Sequence, residues 1–401
     1  MSESFRRFVE KVIESILMLS SWVTTITVLL IIIFLFSEGV SLFRESPLEK
    51  GDVILVNHRN PITRLKAEQI KNIYDQNITH WNEIGGTNDS IILLTINELS
   101  VYFSDEELGA NFEFLPRKLD SLIDANPGII AIMPEKFVDK NFSGNKVSIA
   151  NNNIPDFLTG HLWFPSARPA AQLGMLPLLL GTLLVSFGAI AIALPVGLAT
   201  AIYMAEVAGE GTRRFLKPMI ELLAGIPSVV YGFFGLIIIV PNIQQLFNLP
   251  VGETALAGSI VLGIMALPTI ITVSEDAMRN TPRAMKDASF ALGANKFQTI
   301  MRVILPHSIS GITAAAILGI GRAMGETMAV LMVTGNAAVI PHSILQPVRT
   351  IPATIAAELG EASQGGVHFK ALFALGCILF IITMIVNLTV EFISSRNKNV
   401  T

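Results

Sequence analysis

Six stretches of this chain are too long and too uniformly apolar for the interior of a small globular domain. About 20 helical residues span a bilayer core of about 30 Å. The stretches lie at about Ser15–Val40, Leu176–Met204, Met219–Val240, Thr254–Val273, Ile309–Thr334 and Phe369–Ile393. In hydrocarbon a backbone must satisfy its own N–H and C=O groups, so each stretch is read as a helix. Only 15% of the 401 residues are charged and 51% are apolar, against about 25% charged in soluble domains. The fold class expected is an all-α polytopic membrane protein with about six transmembrane helices. The first stretch is too long for a removable signal peptide and lacks a small-residue cleavage site, so it is read as retained.

Lysine and arginine orient the spans. Arg6, Arg7 and Lys11 precede the first. Arg213, Arg214 and Lys217 lie between the second and third, and Arg279, Arg283, Lys286, Lys296 and Arg302 between the fourth and fifth. On the other side there is none between the third and fourth spans and only Arg349 between the fifth and sixth. The many basic residues of 44–172 do not count, because long loops translocate regardless of charge. Both termini are therefore expected in the cytoplasm, and residues 44–172 outside it. No basic stripe points to nucleic acid. One cysteine, Cys377, and six scattered histidines form no metal-ligand spacing, and no phosphate-cradling G-x-x-x-x-G-K-[ST] loop occurs. Neither catalytic residues nor a cofactor are expected, and any nucleotide hydrolysis must come from another chain.

Two charges interrupt the fifth apolar stretch, in "GRAMGETMAV" (321–330). A lone arginine at mid-bilayer costs about 2.5–3.5 kcal/mol on insertion scales, so it should face a partner or a wet cavity. On a continuous helix Arg322 and Glu326 share a face, although Arg before Glu is the weaker order for helix stability. A guanidinium presents a fork of donors suited to a tetrahedral oxyanion. Arg322 and Glu326 are therefore candidates for a substrate pathway or gate, with structural pairing as the alternative. In the third stretch Ser228 and Tyr231 are candidate pore-lining residues, while Gly225, Pro227, Gly232 and Gly235 are read as packing positions.

The segment "SEDAMRNTPRAMKDASFALGANKFQTIMRVILPHSISG" (274–311) reads as two short helices parted at Gly293, with Pro306 stopping the helix before the fifth span. Its "DAS" (287–289), Gly293 and "VILP" (303–306) resemble the EAA loop of ABC importer permeases. That resemblance implies a type I ABC importer permease fold, in which Asp287, Ala288, Ser289, Gly293, Leu305 and Pro306 couple to a cytosolic ABC ATPase dimer. "IELLAGIPSVVYGFFGL" (220–236), "LPTIITVSEDAM" (267–278), "GRAMGETMAVLMVTGN" (321–336) and "FLTGHLWFPS" (157–166) narrow this further. They resemble the phosphate (Pst-type) importer permeases, in wording closest to their C-type subunit. The resemblance implies import of inorganic phosphate across the inner membrane. The partners it implies are a second, A-type permease subunit, the ATPase and a periplasmic phosphate-binding protein, with membrane lipid around the spans. Another oxyanion such as molybdate or sulfate stays open, as does a membrane-anchored sensor.

Residues 51–155 depart from that family. Strand-like "DVILVN", "SIILLTI" and "GIIAIM" and helix-like "RLKAEQIKNIYD" lead us to expect a small α/β extracytoplasmic insertion. The segments at 60–95 and 126–138 resemble the periplasmic phosphate-binding proteins. In those proteins a Gly/Ser/Thr/Arg-rich turn holds the anion at a helix N-terminus. Here "LLTINELSVYFSDEEL" stands in its place, so a fragment without an anion site is expected, with a docking role or none of its own. The resulting organisation is a tail and first helix (1–43), the insertion (44–172), a permease core (173–395) with its coupling loop (275–307), and a cytoplasmic tail (396–401).

Overall fold

The structure is a computed structural model and describes residues 3–48, 51–109 and 112–398. An uninterrupted helix, α1 (Glu3–Ser41), comes first. It exposes Leu17, Leu29 and Phe34 alike, as a helix in lipid does. Two units then divide the chain: 40–174 with 363–371, and 1–39 with 175–362 and 372–401.

The first of these is an α/β module. Its strands are β1 (Asp52–Val56), β2 (Arg64–Leu65), β3 (Ile92–Thr95), β4 (Ile129–Pro134) and β5 (Asn145–Ile149), in the order β2-β5-β1-β4-β3. The central strand β1 runs antiparallel to both β4 and β5, whereas β3 is parallel to β4. The helices are α2 (Ala67–Tyr74), the short α3 (Leu99–Tyr102) and α4 (Asp105–Leu108), α5 (Leu115–Ala125) and α6 (Ile154–Thr159). A two-stranded ribbon, β6 (Trp163–Phe164) and β7 (Gln172–Leu173), follows. Side chains alternate across a strand, and β1 is apolar on both faces. Ile54 and Val56 join Ile70, Ile73 and Trp81 in one core, while Leu55 joins Leu115, Leu119 and Ile123 in another.

Beyond β3, the Glu98 carboxylate accepts hydrogen bonds from Thr95 N–H (2.9 Å) and Thr95 Oγ1 (3.3 Å). The module thus supplies a carboxylate of its own at that turn. The strands expected from "DVILVN", "SIILLTI" and "GIIAIM" are β1, β3 and β4. The sequence reading had no counterpart of β5 or α5.

The second unit is the helical bundle. It contains α7 (Leu176–Ile202), α8 (Glu210–Gly225), α9 (Ser228–Phe234), α10 (Val240–Phe247), α11 (Ala255–Arg279), α12 (Arg283–Ala291), α13 (Lys296–Thr299), α14 (Leu305–Gly325), α15 (Met328–Val333), α16 (Ile351–Glu358) and α17 (Val367–Lys398). Turns of π-helix follow α7 (Tyr203–Val207), join α9 to α10 (Gly235–Ile239) and join α13 to α14 (Ile300–Ile304). Among the described residues six helical runs are long and apolar enough to cross a membrane: Lys11–Arg44, Leu176–Val207, Ser228–Phe247, Ala255–Arg279, Lys296–Gly325 and Val367–Thr389. α11 lies innermost, between α7 and α14. The end of α1 packs on α17 through the Phe34–Phe373 ring pair, and Cys377 donates to Leu35 O at 3.3 Å.

Two expected spans are corrected. The third begins at Ser228, not Met219, because Ile226 is extended before Pro227, and a residue preceding proline is driven out of the α region. The fifth begins at Lys296 and ends at Gly325, so Pro306 is no stop. In the π turn before it, Leu305 N–H reaches Ile300 O. This widened turn changes the bonding pattern next to a residue that has no N–H of its own.

Trp81 is fully buried and donates from Nε1 to Gly128 O at 3.0 Å. Trp81→Ala should cost about 3–5 kcal/mol and open the module to protease in the full-length chain, as limited proteolysis would detect. Nearby, the N–H groups of His80 and Thr79 hold the Glu83 carboxyl below its ordinary value of 4.5. The stabilisation is therefore complete above that pH and is lost as pH falls through the lowered native value. Glu83→Gln should remove this acid-side loss of amide protection at Thr79 and His80, measured by hydrogen exchange.

Candidate translocation site at two helix breaks

α8 stops at Gly225 and α9 starts at Ser228; α14 stops at Gly325 and α15 starts at Met328. Each break frees backbone groups that the helix itself does not satisfy. At the first, Leu223 O accepts both Ile226 N–H (3.3 Å) and the Tyr231 hydroxyl (2.8 Å). At the second, Glu326 N–H reaches Ala323 O at 3.4 Å and Thr327 Oγ1 donates to Gly325 O at 3.3 Å. The two breaks share one core, since Tyr231, Ala323, Ala329 and Val330 pack in one cluster. Gly232 permits this approach: a Cβ there would lie 2.9 Å from the Ala329 Cα.

Arg322 and Glu326 therefore do not share a helical face. Arg322 occupies the last turn of α14, while Glu326 is extended, with φ −72° and ψ 135°. Neither has an ion-pair partner within 4 Å among the described residues. The Glu326 carboxylate instead accepts Ala329 N–H, at 3.4 Å, in the first turn of α15. The expected mutual pair is corrected on this ground. A cation at a helix C-terminus and an anion at a helix N-terminus each complement the local backbone dipole. That is why both charges are tolerated in this apolar stretch.

Tyr231 packs in one cluster with Ala323, the residue after Arg322. Ser228 stands one turn before Tyr231, half-buried, at the start of α9. Beside the second break lies a shallow, open depression lined by Gly325 and Thr327, by Pro352, Ile355 and Ala356 of α16, by Leu359 and Gly360, and by Leu379 of α17.

The expected coupling residues fall into two groups. Asp287, Ala288 and Gly293 are exposed on the loop, and Gly293 has the left-handed φ of +82°, which glycine adopts at no steric cost. Ser289 turns inward, its Oγ 2.9 Å from Thr299 Oγ1. Leu305 and Pro306 sit apart from these, at the base of α14.

Sequence reasoning passed over Phe290, Leu292 and Phe297, whose exposures are 49%, 90% and 69%. Bulky apolar residues in an otherwise polar loop were the available signal. It also passed over Glu275, only 1% exposed, with Arg213 at 2.8 Å, Arg279 at 3.6 Å and Lys217 at 3.9 Å. Arg213 and Lys217, four apart on α8, hinted at it. Among the described residues no cluster of three His, Cys, Asp or Glu is arranged to hold a metal ion.

Residues 193–399, half of the chain, match the family of the binding-protein-dependent transport system inner membrane component. The chain belongs to this family. As a binding-protein-dependent transport component, it is a multi-pass inner-membrane subunit and not an enzyme. It is 40% identical over 243 residues to the probable ABC transporter permease protein YqgH of Bacillus subtilis, covering 61% of this chain and 78% of that one. It is 37% identical over 245 residues to the phosphate transport system permease protein PstC of Pasteurella multocida, covering 56% and 76%. A solved structure of the MetNI methionine ABC transporter in inward-facing form matches 54% of this chain and 93% of its own at 18% identity, with a TM-score of 0.44. That likeness is too loose to carry weight.

Tyr231→Phe in this transport component should cost about 1–3 kcal/mol, because Leu223 O loses its second donor in a water-poor site. The thermal midpoint in detergent measures it.

Proposed function

We propose that this chain is the membrane permease subunit of an ATP-driven importer of inorganic phosphate, with Arg322 on the anion's path. The observation that carries the reading is a guanidinium with no carboxylate partner among the described residues, set in the last helical turn before a break. The naming of its relatives as phosphate transport permeases supports the substrate. A guanidinium fork binds tetrahedral oxyanions with directed hydrogen bonds, and a helix C-terminus offers that cation no stoichiometric counter-charge. Glu326, half-buried beyond the break, offsets the field when no anion is present. Ser228 and Tyr231 line the same region, the Tyr231 hydroxyl serving backbone closure.

The lysine and arginine bias supports cytoplasmic termini and an external module at 44–172. The 280–299 loop then faces the cytoplasm, where a separate ATPase dimer docks on Asp287, Ala288, Gly293 and the exposed Phe290 and Leu292, with Ser289, Leu305 and Pro306 linking the loop to the span. An A-type permease completes the membrane pair, and an external phosphate-binding protein delivers substrate. The 51–155 module contributes docking rather than anion binding, since Glu98 already takes the Thr95 N–H.

ATP-dependent uptake of labelled phosphate by vesicles holding the reconstituted complex tests the reading. Arg322→Gln should lower uptake by at least about tenfold, a loss within the range of one charge-assisted contact, with membrane levels unchanged. Arg322→Lys should retain an intermediate rate. Full uptake by the Gln variant at normal levels sinks the pathway role.

A further inference from the structure

α12 is fastened to the bundle along one face. Lys286 and Ser289, three residues apart, turn inward, while Asp287 and Ala288 between them are exposed. The Lys286 ammonium donates to Glu206 Oε1 at 2.6 Å, with the two side chains only 20% and 13% exposed. Glu206 lies in the π turn that ends the second span, where Ala208 N–H reaches Tyr203 O at 2.7 Å. On the same face, Ser289 meets Thr299, the residue before the π turn of the fifth span. One helix of the loop is thus bonded to two membrane helices, each at a π turn. Met204, Ile300 and Ile304 of those turns share a buried cluster with Ile271 and Met278 of α11.

We propose that the Glu206–Lys286 ion pair is the strut that carries displacement of α12 into the second span, and that Glu206 and Lys286 are positioning residues for coupled transport. The inference rests on the 280–299 loop being the ATPase-docking segment. Two links differ in what they transmit. The Ser289–Thr299 contact joins α12 to the fifth span through neutral hydroxyls close in sequence, ten residues apart. The ion pair joins segments 80 residues apart, so α12 and α7 have no short covalent route between them. A short, largely buried pair also resists being pulled open, because parting it leaves two charges poorly solvated. π turns mark places where a helix departs from regular bonding, often at functional positions. Motion of α12 therefore has a stiff handle at a deformable point of α7.

The test uses the complete reconstituted complex and reads phosphate moved per ATP hydrolysed, with co-purification of the ATPase alongside. Glu206→Gln and Lys286→Met should each keep the ATPase bound and hydrolysing while the ratio falls by about tenfold. Lys286→Arg should keep the ratio. The exchanged pair, Glu206→Lys with Lys286→Glu, should restore at least about half of it. An unchanged ratio in the single variants overturns the strut. An exchanged pair that regains the wild-type thermal midpoint but not the ratio does so too, because the contact is then structural only. Where a single variant does not assemble, the exchanged pair alone decides, on the same criterion. Asp287→Arg, on the exposed face, separates the premise: undiminished ATPase co-purification there removes the docking reading itself, whatever Glu206 and Lys286 do.

Discussion

The polar chemistry of this bundle depends on where a membrane helix is allowed to end. Helix ends leave backbone carbonyls and amides without partners, and a bilayer provides no water to take them. The hydrogen bond from the Tyr231 hydroxyl to Leu223 O closes one such end, and the Glu326 carboxylate on Ala329 N–H opens the next helix after the other. Beside these bonded groups, α9 and α15 approach closely at Gly232 and Ala329. Arg322 is then left in the last turn of α14 with no carboxylate in ion-pair distance among the described residues.

The same economy of charge governs the ion pairs around α8 and α12. Glu275 is buried among Arg213, Arg279 and Lys217, and Glu206 is tied to Lys286. Removing one member of such a group strands a buried charge, so these contacts fix how α8, α11, α12 and the end of α7 sit together. Asp287, Ala288 and Phe290 of α12, and Leu292 just after it, are left exposed. The α/β module solves a separate problem: its central strand β1 feeds two cores at once, which lets a sheet of short strands bury Trp81 on one side and Leu115 on the other.

Much of this was legible in the sequence. Six apolar runs announce six membrane helices, since length and composition alone meet the bilayer's demand. Gly293 between two short helices was readable too, because glycine and the flanking small residues mark a turn locally. Three elements were misread for one shared reason. The third span's start, the passage through Pro306 and the expected Arg322–Glu326 face all turn on whether a helix continues across a glycine or proline. Apolar periodicity does not register that. β5 and α5 escaped notice because "NKVSI" and "LPRKLDSLIDA" are polar enough to pass for loop until a partner sheet buries one side.

By itself the sequence determined the membrane class, the number of spans, the existence of the α/β module and the presence of two charges where hydrocarbon should tolerate none. These follow from composition and short-range spacing, which a chain carries with it before it folds. Only the tertiary structure decided which residues meet: Tyr231 with a carbonyl eight positions back, Glu326 with the next helix rather than with Arg322, and Lys286 with Glu206 across 80 residues. Such partners are chosen by how helices stop and pack, and by the cost of leaving any polar group unpaired once water is gone.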